Sequence, residues 1–323
     1  MKRGGQLGSA VMDTQLARIH RPTGISGPIA PAAAGSRLRT LSATAFTSAI
    51  GLATNTTLGF NQWAYTDGSE LFFHAGFAAR NALSAVRLAE QGAFASPDAL
   101  EGPVGLFASL GKMEANARIH LFSDTPEILR VYHKPVPVCN FAQAPTIAAL
   151  QIVHATVPRP EQIARIIIRV PLACARYPGC DAEGPFTQIP QAKMSIQFNV
   201  AAALIEGAVT EHNFTRLGDP QRARLIACTT LLADDAFTAA YPTRQGAAVV
   251  VLMADGTRHE ARLEDVMPAD DGTIRTRFRA AVGCALGAAR LEEIDTCIEH
   301  LERYEDSGAL ARLLRAGAPN ARE

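Results

Sequence analysis

Aromatic side chains are scarce in this chain: they make up 6% of its 323 residues, against 48% for hydrophobic residues of all kinds. A core with so few rings must be filled by small aliphatic groups, and alanine is very frequent. Closely packed helices suit that composition. Net charge is also lacking, since 31 basic residues balance 31 acidic ones. No basic block supplies the electrostatic footprint of a nucleic-acid binder. No apolar run is long enough to cross a bilayer. Met1-Lys2-Arg3 is followed by Gly4-Gly5-Gln6 and not by an apolar stretch, so no signal peptide is read. The six cysteines form no C-x-x-C pair. They are read as reduced thiols and not as a disulfide framework, which sets the expected location in the cytoplasm.

Several chemical signatures are absent too. The chain has no GxGxxG after a strand, no GxxxxGK[ST], no HExxH and no GxSxG. Its eight histidines are scattered without metal-ligand spacing. Nothing in the sequence calls for a nucleotide, a metal, a flavin or an acyl-enzyme serine, and the expectation is chemistry without a cofactor.

What is present divides the chain into three stretches. Residues 1–112 read as helical. Helices are expected over Ile29 to Leu38 and from an N-cap at Ser42 to about Asn55. A third follows His74, with Ala78, Ala82, Ala85, Val86 and Ala89 near one face, and Gly92 stops it. Ser96-Pro97-Asp98 predicts a short helix with proline in its first turn. Strands are expected at Ile128 to Tyr132 and at Ile163 to Val170. In the latter Ile166, Ile168 and Val170 share a face. Helices over Pro145 to Val153 and Ala192 to Glu206 lie between strands. Val249 to Met253 and Thr257 to Leu263 flank Asp255-Gly256, a hairpin signal. After Pro268 helices return, with Leu291, Ile294, Ile298 and Leu301 on one stripe and Glu299 spaced to pair with Arg303.

Three constellations offer chemistry. His20-Arg21-Pro22-Thr23-Gly24 is a turn whose proline and glycine fix the places of a histidine and a threonine. His74, read at a helix N-terminus, would be held neutral by the helix dipole and so able to exchange a proton. Gly76 would permit close approach of a backbone or a substrate, and Asn81 falls near the same face. Lys134-Pro135-Val136-Pro137-Val138-Cys139-Asn140 is a rigid extended segment, because prolines two apart do not fit a central strand. Lys134 and Asn140 in it are suited to carboxylates. Each constellation taken singly also has an ordinary structural role.

In order and spacing these pieces resemble the MmgE/PrpD family. His20 to Gly24 is similar to its H-P-T-G turn, and Phe73-His74-Ala75-Gly76 with Ala78-Ala79 to its L-H-A-G-x-A-A block. Leu100-Glu101-Gly102 with Gly105-Leu106-Phe107 resembles its L-E-G-x-x-G-F segment. Lys134 to Pro137 resembles K-P-Y-P, and Lys193-Met194-Ser195-Ile196 before Ala201 to Leu204 resembles its K-F-S helix. The resemblance implies an α+β fold: a mostly helical domain over 1–112 and 266–323, whose C-terminal helices return to it, and an inserted smaller α/β domain over 113–265. It implies a homodimer and a cofactor-independent lyase of the 2-methylcitrate dehydratase type. Its substrate would be a small di- or tricarboxylate, with no nucleic acid or membrane as partner. His20 and His74 would be catalytic, and Thr23, Asn81, Lys134 and Asn140 would bind substrate. Leu71 stands where the family often has lysine, and Val136 where it has tyrosine. The family's long helical region ahead of the H-P-T-G turn has almost no counterpart. Hence one alternative is a truncated, inactive member, with an exposed apolar patch expected around residues 29–55. Another is an epimerase, isomerase or decarboxylase of the same fold.

Overall fold

The structure is a computed structural model that describes residues 2–66, 68–119, 127–306 and 308–315. Its fold class is α+β: helices predominate and one mixed four-stranded sheet accompanies them. Residues up to Met267 form one compact unit, and those from Pro268 onward form a second. No helix among the described residues is long and apolar enough to cross a membrane.

The first unit opens with helices α1 (Lys2–Val11), α2 (Thr14–Ile19), α3 (Pro22–Ser26), α4 (Ile29–Leu38), α5 (Ala43–Thr54), α6 (Trp63–Thr66), α7 (Glu70–Glu90) and α8 (Leu106–Ser109). Ser42 caps α5 as expected, its hydroxyl accepting the Ala45 N–H at 3.3 Å. The scarcity of rings shows in the packing of α4, α5 and α7. Their shared core is Ala32, Ala49, Ala53, Ala82, Ala85, Val86 and Ala89, so the helix axes approach closely. Gly92 lies past the end of α7 at φ +92°, a conformation that suits glycine.

Three expectations fail in this stretch. Helix α7 begins at Glu70, so His74 sits a full turn inside it and not at its N-terminus. Ser96-Pro97-Asp98 starts a turn, closed by Gly102 N–H to Asp98 O at 2.7 Å, and not a helix. No apolar patch opens over 29–55, where Leu38 is the one large exposed hydrophobic residue. Helix α7 instead carries a run of exposed aromatics, with Phe72 64% and Phe73 52% exposed.

The sheet carries the α/β part. Strand β1 (Ile163–Val170) lies between β2 (Thr229–Ala233), parallel to it, and β3 (Ala247–Met253), antiparallel; β4 (Arg258–Leu263) completes the order β2-β1-β3-β4. Ile166, Ile168 and Val170 are buried on one face of β1, as their alternation predicts. The β3–β4 hairpin turns at Asp255-Gly256, with Gly256 at φ +87°. Residues 128–132 are no strand: Glu127–Arg130 is a 3-10 turn and irregular chain follows. Strand β2 was not expected; its half-exposed Thr-Thr-Leu-Leu-Ala pattern shows no alternation.

Helices α9 (Gln143–Thr156), α10 (Leu172–Ala175), α11 (Ile189–Met194), α12 (Ile196–Glu206), α13 (Pro220–Ala227) and α14 (Asp235–Ala240) surround the sheet. The single helix expected over 192–206 is broken at Ser195, whose hydroxyl accepts the Phe198 N–H at 3.0 Å and starts α12 afresh. Sheet and helices bury one large core that reaches back to Trp63 and Ala64, with Ala17 and Leu71 packed at its edge.

The second unit holds α15 (Asp271–Leu286), α16 (Ala288–Glu299) and α17 (Gly308–Arg315). Leu291 and Ile294 are buried, but Ile298 and Leu301 are 46% and 41% exposed, so half of the expected stripe faces solvent. Glu299 pairs with Arg275 at 2.7 Å, across to α15, and not with Arg303. Helix α16 ends at Glu299, which takes Arg303 off the i,i+4 register.

Candidate functional site

The turn from α2 to α3 is fixed by a segment 40 residues downstream. Asn61 N–H donates to Ile19 O at 2.9 Å, Arg21 N–H to Gly59 O at 2.9 Å and Leu58 N–H to Gly24 O at 3.1 Å. Gly24 is required here, because a Cβ would stand 2.2 Å from the Leu58 carbonyl oxygen. His20 and Arg21 are both extended, at φ −105° and −75°, and extended neighbours send their side chains to opposite sides.

The two residues therefore part. His20 packs on the Phe60 ring, 5.6 Å between centroids, and its Nδ1 is buried without a partner. It lines an open cleft of about 830 Å³ with Thr54, Asn55, Asp98 and Ser109. Among the described residues the cleft lining holds one carboxylate and no arginine or lysine, an unfavourable field for a polycarboxylate. Arg21 turns toward Trp63, its guanidinium carbon 5.8 Å from the ring centroid.

Arg21 is the common neighbour of three titratable groups. The His74 imidazole is held below its ordinary pKa, first by burial and then by the Arg21 charge, while Glu70 pulls the other way. Its Nδ1 is buried and has no hydrogen-bond partner among the described residues. Burial raises the Tyr177 phenol, and the adjacent Arg21 guanidinium opposes that rise. The Cys139 thiol also feels the Arg21 charge, together with that of Lys134.

Asn61 completes this wall. Its amide nitrogen donates to Ala17 O at 2.7 Å and to the Tyr177 hydroxyl at 3.3 Å. The short bond to Ala17 fixes which end of the amide is NH₂. Since Asn61 and Arg21 can only donate to the Tyr177 oxygen, the Tyr177 proton is left for an acceptor outside this set. The indole N–H of Trp63 is also buried without a partner. The resulting wall has one fixed cation, a neutral imidazole and a neutral phenol. It can hold a carboxylate and move a proton beside it.

The other expected site residues are placed as follows. The Thr23 carbonyl, two residues after Arg21, accepts the Gly27 N–H at 3.0 Å at the end of α3. Asn81, on α7, accepts from Arg80 at 3.3 and 3.4 Å. Lys134 donates to Val138 O at 3.2 Å while its charge reaches Cys139. Asn140 is taken up structurally: it donates to Gln245 Oε1 at 3.1 Å and accepts from the Tyr132 hydroxyl. Gly76 faces open space, with no neighbouring atom that a Cβ would meet. The Arg21 charge thus acts on His74 and on Cys139, which the Lys134 charge also reaches, and His20 lines the cleft described above. Among the described residues no cluster of histidine, cysteine and carboxylate side chains could hold a metal ion.

Sequence reasoning passed over Arg21, Asn61, Trp63 and Tyr177. For Arg21 a signal existed: in H-P-T-G the histidine directly precedes proline, and here Arg21, not His20, directly precedes Pro22. Asn61, Trp63 and Tyr177 carry no such mark, since only the fold brings them to Arg21.

Two family models match the chain. One, described as the MmgE/PrpD N-terminal domain, covers residues 4–150, and the other, the MmgE/PrpD C-terminal domain, covers residues 136–300. A cis-aconitate decarboxylase from Mus musculus is 25% identical over 321 residues, covering 92% of this chain and 62% of the mouse protein. The chain therefore spans less than two thirds of that relative's length.

Proposed function

Because this chain belongs to the MmgE/PrpD family, we propose that it binds a small di- or tricarboxylate against Arg21 and acts on it as a cofactor-independent lyase. The observation that carries the reading is His74, its imidazole kept neutral by burial and by the Arg21 charge. A carboxylate on Arg21 would bring its α-carbon to that wall. Neutral His74 takes the α-proton, and the electron pair moves onto carboxylate oxygens that the guanidinium stabilises. Tyr177, whose proton has no acceptor among Asn61 and Arg21, donates to the departing oxygen. The pair of electrons from the broken C–H bond closes the new double bond as the hydroxyl leaves with that proton. Elimination of the 2-methylcitrate dehydratase kind follows this course. Decarboxylation of cis-aconitate, the activity in the mouse relative's name, would draw here on the same groups, with a proton delivered to the carbon skeleton as the C–C bond to the departing carbon dioxide breaks.

In this reading Arg21 supplies the positive charge that Leu71, packed at the core edge, cannot. Lys134 adds a second cation, and His20 is left outside the proton-transfer step. The test is exchange or turnover of a panel of polycarboxylates, 2-methylcitrate and cis-aconitate included, in deuterated water. The expected outcome is deuterium uptake at a carbon α to a carboxylate, reduced about 10²- to 10⁴-fold by His74→Gln. Equal uptake in that variant contradicts the assignment. A homodimer belongs to the same proposal, and the exposed α7 aromatics Phe72, Phe73 and Phe77 offer it a surface. Sedimentation equilibrium is expected to give twice the chain mass, and a monomer at micromolar concentration opposes it.

A further inference from the structure

Two thiols face each other beside this wall and take no part in the proton transfers. Cys139 Sγ lies 3.9 Å from Cys180 Sγ. Both backbones are held in place. Cys139 N–H donates to Lys193 O at 2.9 Å, and its carbonyl accepts Ala142 N–H at 3.1 Å. Cys180 N–H donates to Tyr177 O at 3.0 Å, and its carbonyl accepts Ile196 N–H at 2.9 Å. Cys180 is fully buried, whereas Cys139 is half-buried as a residue. Lys134 and Arg21 lend their positive charge to the Cys139 side of the pair.

We propose that Cys139 and Cys180 form a peroxide-oxidisable dithiol, in which Cys139 is attacked first and Cys180 resolves it. The inference goes beyond the lyase reading and does not depend on it. In the first step the Cys139 thiolate attacks one oxygen of hydrogen peroxide. The O–O bond breaks, Cys139 becomes a sulfenic acid and hydroxide leaves. In the second step the Cys180 sulfur attacks the Cys139 sulfur, the S–S bond forms and the S–OH oxygen leaves as water with the Cys180 proton. Two thiols lose two electrons and one peroxide takes them up. The sulfurs must close by about 2 Å to reach bonding distance. The bond would tie the Lys134–Cys139 segment to the Tyr177–Cys180 turn, and so to the residue that faces Arg21.

The environment separates the two roles. The hydrogen bond from Cys180, with the Phe141 N–H, Lys134 and Arg21, pulls the Cys139 thiol below its ordinary pKa against the effect of burial. A lowered thiol pKa favours the thiolate, the nucleophilic form. Burial pushes the Cys180 thiol well up, which keeps its proton until Cys139 is oxidised. Among the described residues the other cysteines lack this arrangement. Burial raises Cys174, and it raises Cys228, whose Sγ donates to Leu225 O at 3.2 Å. Among the described residues no other pair of sulfurs comes as close.

The test treats the folded wild-type chain with hydrogen peroxide, alkylates the remaining thiols and maps disulfides by mass spectrometry without reduction. The expected product is a peptide pair linking Cys139 to Cys180, lost on adding a thiol reductant, as the predominant link. In Cys180→Ser the same treatment is expected to leave Cys139 as a sulfenic acid that a cyclic dione traps. The proposal is overturned if Cys139 and Cys180 stay alkylatable while other cysteines oxidise, or if wild-type Cys139 accumulates as unlinked sulfenic acid. The wild-type map decides by itself should the variant not fold. No carboxylate substrate is used, so failure here leaves the lyase reading standing and the converse also holds.

Discussion

Burial and the Arg21 guanidinium both push the His74 imidazole toward its neutral form, and Glu70, one turn earlier on α7, opposes them. The unfolded chain therefore binds that proton first as pH falls. The histidine's contribution to stability is complete above its ordinary pKa and is lost as pH drops from there through the lower folded value. Arg21→Gln is expected to raise the His74 pKa, and Glu70→Gln to lower it further. Imidazole proton NMR against pH checks both, and an unmoved titration in Arg21→Gln would take Arg21 out of contact with His74. The sequence offered His74 as a candidate, but the helix-dipole reason for its neutrality is not the operative one. It stands inside its helix, so the dipole argument gives way to burial and a distant cation. Arg21 was harder to read. Which of two adjacent extended residues faces which side depends on pairing with residues 58–61, and nothing in the local sequence encodes that.

Among the elements, those with a strong local signal were legible. Helices α4 and α5, the buried face of α7 and the β3–β4 hairpin follow from periodicity, an N-cap serine and an Asp-Gly turn. Strand β2 was missed because a half-exposed parallel edge strand shows no alternation. Residues 128–132 look like a strand by composition, yet both neighbours of β1 are other strands and the segment finds no ladder. The α2–α3 turn is the element on which the site depends, and Gly24 is its tightest point. Gly24→Ala would place a Cβ against the Leu58 carbonyl, which cannot give way as a flexible side chain could. The expected cost is about 1–3 kcal/mol by denaturant unfolding, with a weaker carboxylate affinity as Arg21 shifts. Full stability in that variant would show that the turn tolerates the added methyl and does not set the Arg21 position.

For the whole molecule, the α+β class and the family were recoverable because ordered motifs run along most of the chain, and both family models cover it from residue 4 to 300. The candidate site was legible only in part, since the groups that feel the Arg21 charge come from helix α7 and from residues 139 to 177. A polycarboxylate held there must touch Arg21 and groups from both. Titration of the chain with cis-aconitate, followed through the His74 imidazole resonances in wild type and in Arg21→Gln, bears hardest on that assembly. Saturable movement of the His74 signals is expected in wild type, with affinity about 10- to 100-fold weaker once the charged partner is removed. Binding that leaves His74 unmoved, or that is equally tight without Arg21, would place the carboxylate site elsewhere in the molecule.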